Sequence, residues 1–299
     1  MRYRFGASFS AGITTETAKE SDINDAFITA DRLRAPTWNN PRIIVYISAR
    51  RPVFATNPPQ QHRSLQPERV TVSNDRECRA DIAPDIEAPA LPYLPRLPQN
   101  TDATIGLIGC GGIAPYHLRA YAKAGYQVVA LCDTTLAKAE ALRDEFYPNA
   151  TVCADYRELV DRDDIAVLDV ATHPVERISI IEDALRARKH VLSQKPFVLD
   201  PDVGEGLADL AEANGVLLTV NQNGRWAPHF AYIREAINAG LLGEVTGANL
   251  SVHWDHNWTA DTSFNSLRHL ILYDFAIHWF DIVTCFMGDK APTRVFASA

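Results

Sequence analysis

The chain has 299 residues, of which 46% are hydrophobic, and its formal net charge is −8 at pH 7. This length suits about two domains, and the composition is that of a globular protein with an apolar core. The acidic excess lies after residue 100, so the main body lacks the basic patch that nucleic acid or an anionic membrane surface requires. The composition therefore predicts neither as a partner.

Cysteine usage and apolar run lengths bear on where the protein works. The five cysteines are widely spaced and include no C-x-x-C pair: Cys78, Cys110, Cys132, Cys153 and Cys285. This pattern predicts reduced thiols, with neither a disulfide framework nor a zinc knuckle. The apolar runs are too short for a membrane span, and the first residues are too polar for a secretory signal. We therefore predict a cytoplasmic protein.

Residues 1–100 differ in composition from the rest, since they hold 11 of the 18 prolines and 2 of the 15 glycines. Only the run RIIVYISA, 42–49, has the pattern of a strand. Prolines at 89, 92, 95 and 98 favour an extended linker. Two interpretations stay open, a disordered extension or a coding region whose start was misjudged, and both predict disorder over 1–100.

From residue 103 the pattern becomes regular, because short β-branched runs alternate with amphipathic stretches. The predicted strands are 103–108, 127–132, 165–172, 190–194 and 216–220. The predicted helices are about 113–124, 135–146, 176–188 and 202–214. Such alternation predicts an α/β fold, a Rossmann-type doubly wound parallel sheet with helices on both faces, over residues 101–221.

After residue 220 this rhythm changes. A helix at 228–240 leads into a long strand at 243–254, an apolar helix around 269–287 and the run TRVFASA at 293–299. The order predicts an α+β domain over 222–299 with a mainly antiparallel sheet, incomplete within this sequence.

The glycine-rich turn after the first strand of the regular region is the first candidate site. Gly109, Gly111 and Ala114 give G-x-G-x-x-A between a strand and a helix, and Gly112 and Ile113 complete the loop. In this context the first small residue permits a tight turn, the second lets a pyrophosphate approach the backbone, and the third lets the helix pack closely. The N-terminus of that helix favours negative charge. The alternative is a glycine-rich turn that binds nothing.

A carboxylate ends the second strand of the regular region. Asp133 lies 24 residues after Gly109, where it can accept hydrogen bonds from the adenosine ribose. A 2′-phosphate would meet this charge unfavourably, so NAD is predicted over NADP. A helix N-cap is the alternative role, and it is compatible with the first.

Three further stretches complete a pattern. These are Gln194-Lys195-Pro196 at a strand end, Asp274-x-x-x-His278 in an apolar helix, and Ala171-Thr172-His173-Pro174 after another strand. With the glycine turn they make the chain from about residue 102 resemble the Gfo/Idh/MocA family of oxidoreductases. The resemblance implies hydride transfer between a nicotinamide cofactor and a carbinol carbon of a sugar or cyclic polyol.

The resemblance also implies roles for individual residues. His278 would exchange the hydroxyl proton, Lys195 would orient the hydroxyl and stabilise the oxyanion, and Asp274 would position substrate. Further residues would line the cofactor: Thr172, His173, Pro174, Gln194 and Lys195. Independently of the family, Asp274, His278 and Asp281 share one face of an otherwise apolar helix, which predicts a polar cleft rather than a surface pair.

The chain departs from the family pattern at three places. Gln194 stands where the family more often has glutamate, and Ala276 replaces a glycine. Family members also generally continue well past this length, so we expect a truncated substrate domain in which the sheet that forms a homo-oligomer interface is mostly missing.

Other interpretations stay open. A non-catalytic dinucleotide-binding sensor or degenerate paralogue is one alternative function, and a glycosidase that retains NAD is another. Asn223 and Arg225 in NQNGRW are candidates for cofactor or substrate contact, with capping or a salt bridge as the alternative. No metal is predicted at VHWDHNW, because His253 and Asp255 share one strand face while His256 points to the other.

Overall fold

The computed structural model describes residues 42–50, 88–96, 98–253, 257–260, 262, 265, 268–288 and 290–296. The chain divides into two compact units. The first, here called the parallel-sheet unit, contains Leu94–Trp226 and Ser266–Asp281. The second, here called the antiparallel unit, contains Met1–Tyr93, Ala227–Asn265 and Ile282–Ala299.

The secondary structure elements are numbered in chain order. The strands are β1 Arg42–Arg50, β2 Thr104–Ile108, β3 Gln127–Cys132, β4 Thr151–Cys153, β5 Val167–Val170, β6 His190–Gln194, β7 Leu218–Asn221 and β8 Glu244–His253. The α-helices are α1 Ala114–Ala124, α2 Leu136–Phe146, α3 Arg157–Val160, α4 Pro174–Arg186, α5 Pro201–Asn214, α6 Pro228–Asn238 and α7 Ala276–Met287. A 3-10 turn spans Asn223–Trp226, and a π-helical segment, Ile271–Phe275, precedes α7.

The parallel-sheet unit is built on six parallel strands in the order β4-β3-β2-β5-β6-β7. The chain moves outward from β2 to β4 and then returns beside β2 as β5, so the direction of winding reverses between β2 and β5. Open α/β sheets bind their ligands outside the carboxyl ends of the strands at such a reversal. The predicted doubly wound sheet is thus confirmed.

Alternation along the strands divides the core of this unit between the two sheet faces. Ile105 and Leu107 pack with Ala114, Leu118 and other residues of α1 and α2. Ile108, Leu168 and Val170 pack on the opposite face, with residues of α3, α4 and α5. Strands with apolar side chains on both faces are typical of a sheet covered by helices on both sides.

The antiparallel unit pairs β1 with β8, in a register that runs from Arg42 opposite His253 to Arg50 opposite Glu244. Its core is formed by α6, β8 and the end of α7, through the buried residues Phe230, Ile233, Val245, Ile282 and Phe286. The proline-rich segment contacts α6, since the Tyr232 hydroxyl donates to the Pro89 carbonyl at 2.8 Å and the rings of Tyr93 and Tyr232 meet edge to face.

The structure differs from the sequence prediction in three details. β4 and α3 were not predicted, because three and four residues are too few to show a periodicity. The helix predicted over 269–287 begins as the π-helical segment. The strand that pairs with β8 is β1, which comes from the segment predicted to be disordered.

β1 lies within the segment predicted to be a disordered extension. Residues 1–41 and 51–87 of that segment lie outside the described residues, so its disorder and the domain boundaries remain predictions. No helix in the described part of the chain is long and apolar enough to cross a membrane.

Candidate active site

The glycine turn joins β2 to α1, and its first glycine is required on two grounds. Gly109 has a φ of +97°, in the left-handed region that favours glycine. A Cβ atom there would also lie 3.0 Å from the carbonyl carbon of Ala171 and 3.0 Å from Cγ2 of Thr172. The turn and the loop after β5 can therefore approach this closely only with glycine at position 109.

The next part of the turn faces open space. A Cβ atom at Gly111 or Gly112 would meet nothing within 4 Å. Below them Ala114 is fully buried, and the N-cap residue of α1, Ile113, provides no side-chain cap. At the start of α1 the Ala114 N–H donates to the Gly111 carbonyl oxygen and Pro115 has no N–H, so the positive end of the helix dipole is what would attract phosphate here. The open turn above a closely packed helix start therefore fits the pyrophosphate of a dinucleotide.

Asp133 lies beside this turn, immediately after β3. Its Oδ2 accepts the Cys110 N–H at 2.9 Å, and its Oδ1 accepts the Thr135 N–H at 2.8 Å. The carboxylate thus links the glycine turn to the residue before α2. Because two carboxylate oxygens offer about four acceptor positions, Asp133 retains acceptor capacity for ribose hydroxyls.

The loop after β5 holds the predicted Thr172, His173 and Pro174. Pro174 begins α4, and His173 is its exposed N-cap residue. The Thr172 hydroxyl Oγ1 is buried and has no hydrogen-bond partner among the described residues. A buried hydroxyl normally has a partner, so this atom fits a hydrogen bond to a ligand bound along the loop.

The predicted catalytic lysine follows β6 and pairs with the predicted aspartate. Lys195 Nζ lies 2.9 Å from Asp274 Oδ1 and 3.0 Å from the Asp274 carbonyl oxygen. Both side chains are largely buried, with 17% and 12% of their surface exposed. A buried pair of opposite charges with short, direct hydrogen bonds has a fixed geometry. The ammonium group is therefore held by one residue of the π-helical segment.

His278 lies one helical turn after Asp274, at the start of α7. Its Nδ1 is buried without a hydrogen-bond partner among the described residues. The pKa of His278 is lowered from 6.5 to about 4, mainly by burial and also by the charge of Lys195, against the opposing effects of Asp274 and Asp281. The ring is therefore neutral near pH 7, which is the form that can accept a proton.

A buried array of side chains lies behind Lys195. Gln194 Oε1 accepts the Lys195 backbone N–H at 2.7 Å, which turns its Nε2 toward His117 Nε2 at 3.0 Å. Since an amide nitrogen only donates, His117 Nε2 accepts, and Nδ1 carries the proton that it donates to Asp169 Oδ2 at 2.7 Å. The Tyr121 hydroxyl donates to the same carboxylate oxygen at 2.7 Å. The Gln194 side chain is thus directed into this array.

A buried arginine connects the two loops that carry predicted site residues. Arg177 is 2% exposed, and its guanidinium donates to the carbonyl oxygens of Thr172, Gln194 and Pro196, the last at 2.7 Å. Burial lowers the pKa of Arg177 to about 10, against the opposing effects of Asp274 and Asp169. The guanidinium nevertheless stays charged at neutral pH, so it can fix both loops.

Arg177, Asp169 and His117 were not predicted from the sequence, although the pattern around Arg177 and Asp169 contains a signal. Arg177 falls on the apolar face of α4, in line with Ile180 and Ile181. Asp169 interrupts the apolar strand VLDV and is fully buried. A charged residue at a core position is expected only where it has partners, and this expectation was available from the pattern alone.

Arg225 pairs with Asp281, which corresponds to the salt-bridge alternative for this residue. Its Nε donates to Asp281 Oδ2 at 2.9 Å, and its NH2 donates to Oδ1. Asn223 lies at an exposed position in the 3-10 turn. The acidic residue three positions after His278 is therefore held by the segment that follows β7.

The cysteine thiols are reduced in the described part of the chain, and the candidate metal ligands there do not cluster. Cys110, Cys132, Cys153 and Cys285 are free, and burial raises the pKa of Cys110 to about 12. Among the described residues no group of three or more histidine, cysteine, aspartate or glutamate side chains could hold a metal ion. Cys78, Asp255 and His256 lie outside the described residues.

Comparison with known families gives two matches after residue 102. Residues 103–222 match a family described as "Oxidoreductase family, NAD-binding Rossmann fold", and residues 230–299 match one described as "GFO/IDH/MocA C-terminal domain". Together the two matches cover more than half of the chain. The predicted NAD-binding Rossmann fold is thereby confirmed.

Two curated relatives are dehydrogenases. The inositol 2-dehydrogenase/D-chiro-inositol 3-dehydrogenase of Lactiplantibacillus plantarum is 28% identical over 197 residues, which are 64% of this chain and 55% of the relative. The D-apiose dehydrogenase of Paraburkholderia graminis is 28% identical over 196 residues, which are 64% of this chain and 51% of the relative. The chain thus spans about half the length of the curated relatives it matches.

Solved structures agree on the fold. A candidate myo-inositol dehydrogenase of Sinorhizobium meliloti 1021 has a TM-score of 0.54 and 25% identity, over 63% of this chain and 56% of that chain. The scyllo-inositol dehydrogenase of Lactobacillus casei, solved with NAD(H) and scyllo-inositol, has a TM-score of 0.54 and 20% identity, over 62% and 56%. The second likeness concerns the fold alone.

Proposed function

Because the chain belongs to the Gfo/Idh/MocA family of oxidoreductases, we propose that it transfers a hydride between NAD and a carbinol carbon of a sugar or cyclic polyol. The observation that carries the proposal is the buried ion pair of Lys195 and Asp274, one helical turn before the neutral His278. The relatives named as inositol and D-apiose dehydrogenases support this substrate class.

Lys195 would bind the oxygen of the reacting carbinol. Its ammonium group has three protons, and two of them are engaged by Asp274 Oδ1 and the Asp274 carbonyl oxygen. The third N–H remains for the substrate oxygen, on which negative charge develops as the hydride leaves. A donor already fixed in place stabilises that charge without reorganisation in the transition state.

His278 would take the proton of the same hydroxyl. The low pKa of its ring keeps it neutral at working pH, so it can accept the proton during oxidation, and it makes the protonated ring a ready donor during carbonyl reduction. Since Nδ1 is buried, Nε2 is the nitrogen left to meet the substrate. The alcohol thus loses one proton to the protein and one hydride to the cofactor.

Bound NAD would supply the hydride acceptor for the carbinol carbon. Gly111, Gly112 and the N-terminus of α1 would hold its pyrophosphate, and Asp133 would accept from the adenosine ribose. The carboxylate would repel the 2′-phosphate of NADP. Thr172 and Pro174 would line the ribose and nicotinamide.

The proposal is tested with purified full-length chain in two measurements. Calorimetric titration with NAD and NADP should give tighter binding of NAD. Incubation with NAD and a panel of inositols, pentoses and hexoses should raise the nicotinamide absorbance with at least one of them. NAD binding without reduction across this panel would contradict the dehydrogenase proposal and leave the non-catalytic sensor.

A parallel assay separates the glycosidase alternative. The same protein is incubated with glycosides, and both free sugar and reduced cofactor are measured. Release of sugar with no net NADH would favour a glycosidase that retains NAD. A dehydrogenase releases no sugar from these glycosides and produces NADH in proportion to the polyol consumed.

A further inference from the structure

The segment between β7 and α6 contacts α7 on both sides of His278. The Gln222 amide nitrogen Nε2 donates to the Ile277 carbonyl oxygen at 2.9 Å, one residue before His278. Arg225 binds both carboxylate oxygens of Asp281, three residues after it. All of these residues belong to the parallel-sheet unit. Segment 222–225 is thus fixed along the first turns of α7.

Between these two anchors, Gly224 lies against the imidazole ring. A Cβ atom at position 224 would be 2.8 Å from Nδ1 of His278 and 3.2 Å from its Cβ and Cγ. Real Cβ atoms do not come this close to other atoms, so a side chain here would displace the ring. The backbone of Gly224 is not in the left-handed region. Lack of space, rather than backbone conformation, therefore requires glycine.

The same ring has no hydrogen bond that could orient it at the contacted atom. Nδ1 of His278 is buried and has no partner in the described part of the chain. In histidine bases the second ring nitrogen is often oriented by a hydrogen bond to a carboxylate or carbonyl. Here the surface of Gly224 occupies that position, so packing takes the place of the hydrogen bond.

We infer that Gly224 is a positioning residue for His278 and that Gln222 and Arg225 hold it in place. The inference rests on the proposed role of His278 as the base. Packing against Gly224 closes Nδ1 and leaves Nε2 for the substrate hydroxyl. A methyl group at position 224 would rotate or shift the ring, and misplacement by about 1 Å can lower a rate about 100-fold.

The test compares Gly224→Ala with Gly206→Ala. Gly206 is the matched control, because it lies in α5 of the same unit and an added Cβ would meet nothing within 4 Å. For both variants we would measure NAD affinity, kcat, KM for the polyol found active, and the NMR signals of the His278 ring. The ring signals are assigned from the spectrum of a His278→Gln variant.

We expect Gly224→Ala to shift the His278 ring signals and to lower kcat roughly 30- to 100-fold. NAD affinity and KM should change less than about threefold, because the ring acts mainly in the transition state. Gly206→Ala should change none of these quantities. Unchanged ring signals together with unchanged kcat in Gly224→Ala would overturn the inference.

A second variant keeps the inference testable if Gly224→Ala does not fold. Arg225→Lys retains the charge but loses the paired geometry on Asp281, so it should shift the His278 ring signals and lower kcat by a smaller factor. Unshifted ring signals in this variant would overturn the inference. The NMR measurement requires no turnover. It therefore tests the positioning of His278 by Gly224 even if the protein does not transfer a hydride.

Discussion

The candidate site has two halves, the glycine turn and the surroundings of Lys195, and they expose different groups to a ligand. At the glycine turn a ligand would meet only backbone atoms, with open space around them, because a Cβ added at Gly111 or Gly112 would meet nothing within 4 Å. Around Lys195 it presents buried side chains that direct hydrogen bonds hold in place, including Gln194, Asp274 and Arg177. Backbone N–H groups suit the phosphates that all dinucleotides share, whereas fixed side chains suit a proton transfer that needs exact positions.

Replacement of Lys195 should have the largest effect on turnover. Lys195→Met removes the donor proposed for the substrate oxygen, so kcat should fall about 1,000-fold, as when an oxyanion donor is lost. NAD affinity, measured by calorimetry, should change little. Lys123→Met, an exposed lysine of α1, is the control and should retain wild-type kcat. Retention of turnover by Lys195→Met would remove lysine from the mechanism.

Replacement of Arg177 should have the largest effect on stability. Arg177→Met removes the guanidinium that donates to the carbonyl oxygens of Thr172, Gln194 and Pro196. The free energy of unfolding should fall by roughly 3 to 5 kcal/mol, as when a buried charged partner is removed. Urea denaturation measures this change. Arg186→Met, on the exposed part of the same helix, should cost less than about 0.5 kcal/mol.

Alanine at two of the three glycines of the turn should separate an effect on stability from an effect on NAD binding. Gly109→Ala forces a left-handed backbone on alanine and a contact with Ala171, so stability should fall by about 1 to 3 kcal/mol. Gly111→Ala should leave the melting temperature unchanged and weaken NAD binding about tenfold, because its methyl group enters the pyrophosphate cradle. Equal loss of stability in both variants would contradict this division.

The effect of pH on kcat/KM and on the free energy of unfolding should be the smallest of these effects near neutral pH. The pKa of His278 is lowered from 6.5 to about 4, mainly by burial, so kcat/KM for alcohol oxidation should lose activity near pH 4 rather than near pH 6.5. The stability that the neutral ring provides is fully present above pH 6.5 and is lost as the pH falls toward 4. Urea denaturation of wild type and His278→Gln across this range measures the loss. An acid limb near pH 6.5 would contradict it.

The strand, turn and helix around Gly109 were predicted correctly because that motif is local. Gly109, Gly111 and Ala114 lie within six consecutive residues, and their roles follow from a strand, a turn and a helix in series. The direction of the Gln194 side chain could not be predicted in the same way. Gln194 was expected among the cofactor-lining residues, but its amide faces His117, which is 77 residues earlier in the chain.

The sequence by itself determined the alternation of strands and helices, the position of the glycine turn and the residue types available for chemistry. Only the tertiary structure decided which residues hold those groups, because Lys195 and Asp274 are 79 positions apart and His117 and Asp169 are 52 apart. Periodicity reports which face of an element is buried, and it does not report which element packs against that face. The contact of Gly224 with His278 is therefore a property of the fold rather than of any local pattern.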